Sequence, residues 1–154
     1  MKIGILSDTH GFLDPKIPEL FAGVGHILHG GDIGQPRILA ELEVIAPVTA
    51  VGGNTDEPAL HYAPVKTVEL AGRKFFIQHI VQPLDLEENL QQRLVRERPD
   101  AVVFGHTHKR FCESLGGILY VNPGYAGQPK FGSQRSVAIA HCDGKGIRVE
   151  YFEL

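Results

Sequence analysis

Three times in its first 54 residues the chain drives a short apolar run into glycine and polar residues. KIGIL runs into SDTHG, HIL into HGGD, and VTAV into GGNTD. Helical stretches around Ile17–Ala22 and Pro36–Glu43 lie between these runs. A β-α-β-α-β order leaves little freedom: strands joined through helices pair in parallel, with right-handed crossovers. In open α/β sheets the carboxyl ends of such strands are where ligands bind. Asp8, His10, Asp32 and Asn54 are therefore predicted to share one side of a sheet.

The strand readings for this part are Lys2–Leu6, His26–Leu28 and Val48–Val51. Further β-type runs follow at Val65–Leu70, Lys74–Gln78, Ala101–Phe104, Ile118–Val121, Ser136–His141 and Ile147–Phe152. Hairpin turns are expected at Ala71-Gly72-Arg73 and Asp143-Gly144-Lys145-Gly146. The clearest helix is Leu86–Arg98, with Asp85 and Glu88 as a capping pair, Leu86, Leu90, Leu94 and Val95 as its apolar stripe, and Pro99 at its exit. Parallel strands followed by a block of hairpins predict an α/β fold of two packed mixed β-sheets flanked by helices. With 154 residues and no repeat, linker or low-complexity tract, the expected organisation is a single domain, 1–154.

Charge narrows the function classes. Fifteen Lys and Arg stand against 18 Asp and Glu, a formal charge of −3, and no basic block occurs. A protein that lives on nucleic-acid phosphates would carry the opposite balance, so no strong nucleic-acid binding is expected. The apolar run before Ser7 is too short for the core of a signal peptide and no later stretch could span a bilayer, which predicts a cytoplasmic protein without a membrane partner. Cys112 and Cys142 lack CxxC partners and read as small core residues of a reduced protein.

Two later strands end in the same way. Lys74–Gln78 runs into His79, and Ala101–Phe104 runs into G-H-T-H with His106 and His108. Each signal alone has an ordinary reading: D-x-H as a strand-end turn, G-D and G-N as turn dipeptides, His79 as a satisfied core histidine. Five in order, each at a strand end, point instead to one crevice. On extended chain, residues two apart face the same way, so Asp8 with His10 and His106 with His108 would each present two ligands. Four imidazoles, two carboxylates and one amide oxygen are too hard for a zinc–thiolate site and too rich in nitrogen for calcium. They suit Mn, Fe, Ni, Co or Zn. Seven ligands exceed the needs of one ion, whereas two ions about 3.5–4 Å apart and sharing a carboxylate would use them all. Beyond the seven, His29 is either a support for Asp32 or a satisfied strand histidine. Asp56, Glu57 and His61 lie in a loop that could border a pocket, Lys109 and Arg110 follow the histidine pair, and His26 and His141 read as structural or solvent-facing.

The ordered set D-x-H, G-D, G-N, lone H and G-H-x-H, with N-P-G at Asn122–Gly124, resembles the calcineurin-like metallophosphoesterase superfamily, and GNTD makes it most similar to the compact bacterial and archaeal phosphodiesterase branch. The resemblance implies that Asp8, His10 and His108 hold one metal, that Asn54, His79 and His106 hold the other, and that Asp32 bridges both. It implies an αββα sandwich, two divalent transition-metal ions, manganese foremost, and hydrolysis of small aryl or cyclic, nucleotide-type phosphodiesters by a metal-bridging hydroxide. Asp32, Asn54 and His106 would be the residues of catalysis. The alternatives are a phosphomonoesterase of the same fold and a non-catalytic binding scaffold, and a homodimer is compatible with the sequence. Three positions depart from the family pattern. Thr55 stands where larger phosphatases carry a proton-donating histidine, His79-Ile80-Val81 replaces H-G-H, and Tyr125 follows N-P-G where serine is common. The N-P-G itself reads as a plain turn.

Overall fold

The computed structural model describes residues 1–154. Ten strands form two five-stranded sheets. The first contains β1 (Lys2–Leu6), β2 (His26–His29), β3 (Val48–Ala50), β9 (Ser136–Asp143) and β10 (Gly146–Glu153), in the order β10-β9-β1-β2-β3. The second contains β4 (Val65–Leu70), β5 (Arg73–Gln78), β6 (Ala101–Val103), β7 (Arg110–Leu115) and β8 (Ile118–Pro123), in the order β4-β5-β6-β8-β7. Within the first, β1, β2 and β3 run parallel; within the second, β5, β6 and β8 do. Antiparallel strands complete both, so the sheets are mixed, as the sequence predicts.

Alternation along the strands explains the layering. Ile3, Ile5, Phe75, Ile77, Ala101 and Val103 meet between the sheets in one buried cluster. The opposite face of the first sheet, with Ile27 and Ala50, packs against Ile17 of α1 (Ile17–Leu20) and Ile38 and Leu42 of α2 (Arg37–Glu43). The opposite face of the second, with Phe76 and Val102, packs against Leu90 and Leu94 of α3 (Glu88–Glu97). Central strands covered on both faces have no polar side, which is why they read as unbroken apolar runs.

Several sequence expectations need correction. α3 starts at Glu88 with no side-chain cap, because Asp85 closes a separate turn through its N–H to the Gln82 carbonyl, 3.0 Å. Val95 is 69 % exposed, so the buried stripe is Leu90 and Leu94 with Leu86 at its margin. α1 covers four residues rather than six. Strand β7 was invisible in the sequence because, as an edge strand, most of its residues are exposed and polar. It brings a third hairpin with it, through Gly116 and Gly117. Cys112 lies exposed on this strand and is not a core residue, whereas Cys142 is buried; both are free thiols. No helix is long and apolar enough to cross a membrane.

Candidate metal centre

All seven candidate ligands meet where the loops leaving the parallel strands come together. Asp8 and His10 follow β1, Asp32 follows β2, Asn54 follows β3, His79 follows β5, and His106 and His108 follow β6. Backbone bonds pin these loops to one another: Asp8 N–H to Gly31 O at 3.0 Å, His10 N–H to Asp32 O at 3.0 Å, and Gly105 N–H to His79 O at 3.0 Å. Side chains cross between the sheets. The His106 N–H donates to Asp8 Oδ2 at 3.1 Å, and His79 Nδ1 lies 2.7 Å from the Gly30 carbonyl.

The means of convergence differs from the one expected. Asp8 (φ 57°), His10 (46°), Asp32 (52°), His106 (69°) and His108 (60°) all sit in the left-handed region, so neither D-x-H nor H-T-H is extended. Five of the eight non-glycine residues with positive φ in the chain are thus candidate ligands. Such residues cost on the order of 1–3 kcal/mol each and persist where the surroundings over-determine them. Close backbone approach contributes too: a Cβ on Gly53 would overlap the Asp32 carboxylate.

The imidazoles form two edge-on pairs, His10 with His108 (ring centroids 5.6 Å apart) and His79 with His106 (5.4 Å). The carboxylates lie between them. Asp8 Oδ1 is 3.2 Å from His108 Nε2, 3.9 Å from His10 Nε2 and 4.0 Å from His79 Nε2. Asp32 Oδ2 is 3.2 Å from His79 Nε2 and 3.8 Å from His10 Nε2. Asn54 Oδ1 is 3.0 Å from both His79 Nε2 and His106 Nδ1. Burial raises the Asp8 carboxyl above its usual range. Burial works the same way on Asp32, but there the Thr55 N–H (2.9 Å to Oδ1) and the His79 and His10 rings outweigh it and hold the carboxyl low.

This donor set fits a divalent cation. The Gly30 carbonyl can only accept, so His79 carries a hydrogen on Nδ1, which leaves Nε2 as the nitrogen that faces the Asn54 and Asp32 oxygens. Asp8 Oδ1 is buried and makes no hydrogen bond. Acceptors turned on one another away from water are unstable unless a positive charge sits among them. Oxygens and imidazole nitrogens of Asp8, His10 and His108, and of Asp8, Asp32 and His79, lie within 4.8 Å of one another, close enough to share ions.

Other residues have clear places. His29 is fully buried; its Nδ1 accepts the Gly31 N–H (3.2 Å) and its Nε2 lies 3.0 Å from Thr9 Oγ1, so it is a satisfied strand histidine that makes no bond to Asp32. Asp56, only a loop residue in the sequence, accepts the N–H groups of Ile33, Gly34 and Gly53 at 3.2, 2.9 and 2.8 Å. It bolts the loop after Asp32 to the loop before Asn54. Asn122 closes the N-P-G turn, its Oδ1 accepting the Gly124 N–H at 3.0 Å, and does more: buried near the end of β8, its amide donates to Gly105 O (2.9 Å) and Thr107 Oγ1 (3.1 Å), bracing the G-H-T-H loop. Glu57 and His61 are exposed at either end of a short helical turn, Pro58–Leu60. Arg110 turns toward Glu153 (3.7 Å) and the Tyr151 ring, while Lys109 is exposed. His26 and His141 pair with Thr49 and Glu150.

Two mixed sheets with loops from both closing on imidazoles, carboxylates and an amide define a metallophosphoesterase, a metal-dependent hydrolase of phosphoric esters. The calcineurin-like phosphoesterase superfamily domain matches residues 1–145, and the chain belongs to that family. A probable metallophosphoesterase of Methanothermobacter thermautotrophicus is 31 % identical over 97 % of this chain and 91 % of its own length. The phosphodiesterase YfcE of Escherichia coli is 32 % identical over 93 % of this chain and 89 % of its own. Among solved structures, an archaeal phosphodiesterase superposes with a TM-score of 0.77 at 26 % identity, covering all of both chains. Vps29 of Chaetomium thermophilum reaches the same TM-score at 16 % identity over 100 % of this chain and 95 % of its own, a likeness of fold alone.

Proposed function

We propose that residues 1–154 act as a single cytoplasmic domain that hydrolyses small phosphodiesters of the aryl or cyclic, nucleotide type, using two divalent transition-metal ions, manganese foremost. Asp8, His10 and His108 would hold one ion, Asn54, His79 and His106 the other, and Asp32 both. The observation that carries this reading is the buried Asp8 Oδ1, which makes no hydrogen bond while imidazoles of both pairs surround it. The named phosphodiesterases among the relatives support the choice of substrate class.

When bound, such ions polarise phosphoryl oxygens and make hydroxide available near neutral pH. The chain's own residues do the rest. Asp32 stays deprotonated, held by the Thr55 N–H. Asn54 and His106 are exposed and form the rim that a phosphoryl group meets first, which is the basis for naming them with Asp32 as the residues of catalysis. Thr55 Oγ1 lies 3.5 Å from His10 Nδ1, where a larger phosphatase would offer an imidazole. A threonine hydroxyl cannot donate a proton near pH 7, and losing a general acid typically costs about 10²–10⁴-fold on poor leaving groups.

The test is a comparison of nitrophenyl phosphate with bis-nitrophenyl phosphate, each with manganese, nickel, zinc and magnesium, followed by diesters with leaving groups of graded pKa. Diester turnover that falls steeply as the leaving group becomes more basic is expected. Preference for the monoester would favour a phosphomonoesterase, and substoichiometric metal with no turnover a binding scaffold. A flat dependence on leaving group would refute the missing-acid argument.

A further inference from the structure

His108 differs from His79 in how its ring is held. His79 is almost fully buried, and the Gly30 carbonyl fixes its second nitrogen at 2.7 Å. A metal-binding histidine ordinarily needs such a partner, because the hydrogen bond on one nitrogen aims the other. His108 has no such bond; its side chain is 39 % exposed, and the one group of opposite charge beside it is Asp8 at 3.2 Å. An exposed imidazole held only at its tip would sample several rotamers.

Tyr125 fills that gap. Its ring stacks on His108 with centroids 4.7 Å apart and planes 23° from parallel, and it lies 6.3 Å from the ring of His10. The separation falls within the range of favourable aromatic pairing. Tyr125 is itself immobilised. It is 2 % exposed, its hydroxyl donates to the Gln128 carbonyl at 3.0 Å, and its carbonyl accepts the Ser136 N–H at 2.9 Å. The backbone at Gly127 passes so close that a Cβ there would lie 2.6 Å from the ring carbons Cε2 and Cζ. Ser7, next to Asp8, accepts the N–H of Ala126 at 3.2 Å, so the wall is tied to the loop that carries Asp8 and His10.

We propose that Tyr125 is a positioning residue: its ring, clamped at Gly127 and Gln128, takes the place of the missing hydrogen bond and holds His108 aimed at Asp8, and so sets the affinity of the cation site formed by Asp8, His10 and His108. The inference rests on the metal-binding reading above. It assigns a role to the one position after N-P-G that departs from the family pattern.

Calorimetric addition of manganese to metal-stripped protein tests it on the wild type, Tyr125→Phe and Tyr125→Leu. The phenylalanine ring loses the bond to Gln128 but keeps the stack and the close approach of Gly127, so it should bind both ions with nearly wild-type affinity. The leucine variant should lose roughly tenfold in affinity at one of the two sites, the scale of effect seen when a support behind a ligand is removed, with the other site unchanged. Equal affinities in the wild type and a folded leucine variant would overturn the proposal, as would equal losses in both variants. Because Tyr125 is buried, a second measurement avoids dependence on the leucine variant's folding. The chain has four tyrosines and no tryptophan, so quenching of tyrosine emission by a paramagnetic ion such as manganese reports on rings beside the site. That quenching should be largely absent in Tyr125→Phe while binding persists; quenching of wild-type size in that variant would refute the placement. A wild type that binds no ion would instead remove the functional reading on which the proposal stands.

Discussion

His29 provides a quantitative test of the packing beneath the metal loops. The Gly31 N–H can only donate, so Nδ1 of His29 must accept and the ring hydrogen sits on Nε2, facing Thr9. The Thr9 hydroxyl in turn donates to the Ile33 carbonyl at 2.9 Å. A proton added to Nδ1 would set one N–H against another inside the core, and complete burial pushes the imidazole down to about 3. In the unfolded chain the same group titrates near 6.5. The unfolded state therefore takes up the proton first as pH falls. Stability is whole above about pH 6.5 and declines toward pH 3. Between pH 7 and pH 5 a group that stays neutral when folded and titrates at 6.5 when unfolded costs about 2 kcal/mol. The measurement is urea unfolding of metal-stripped protein at pH 7, 6 and 5, for the wild type and His29→Gln. Glutamine retains one acceptor and one donor but does not titrate. Its variant should be less stable at pH 7 yet lose about 2 kcal/mol less than the wild type over this range. Carboxylates such as Asp8 and Asp14 contribute to both profiles and cancel in the difference. Parallel profiles would mean that His29 accepts a proton when folded, and the tautomer assignment would be wrong.

Asp56→Ala removes the acceptor for three backbone N–H groups, and for a half-buried carboxylate the loss should be about 3 kcal/mol in urea unfolding, with Asp56→Asn intermediate. Asp32→Asn takes away the negative charge nearest both His10 and His79; elemental analysis should find fewer than two ions per chain, and hydrolysis should disappear with them. Two ions retained by that variant would remove Asp32 from its shared position.

The fold class was legible because covered parallel strands leave an unbroken apolar signature and because β1, β2 and β3 alternate with helices. Edge strand β7 was not, since one exposed face scatters polar residues through it and erases the pattern. The gathering of the seven ligand candidates could be expected from their strand-end positions, yet the local geometry could not. Alternation along an extended chain gave a plausible route to the same outcome, whereas the backbone turns through left-handed residues at Asp8, His10, His106 and His108. The bracing roles of Asp56 and Asn122 went unrecognised because most of their partners are backbone groups, which leave no mark in a sequence. Tyr125 was visible only as a departure, and its neighbour in space, His108, is 17 positions earlier in the chain.

The seven side chains are divided between the sheets: Asp8, His10, Asp32 and Asn54 leave strands of one, His79, His106 and His108 strands of the other. Each proposed ion draws on both. A cation seated there would work as a rivet through the seam of the sandwich, and chelation would loosen the whole body and not merely silence a pocket. Acquiring metal and completing the fold would then share one free energy, so a cell short of the ion would hold a weaker protein as well as an idle one.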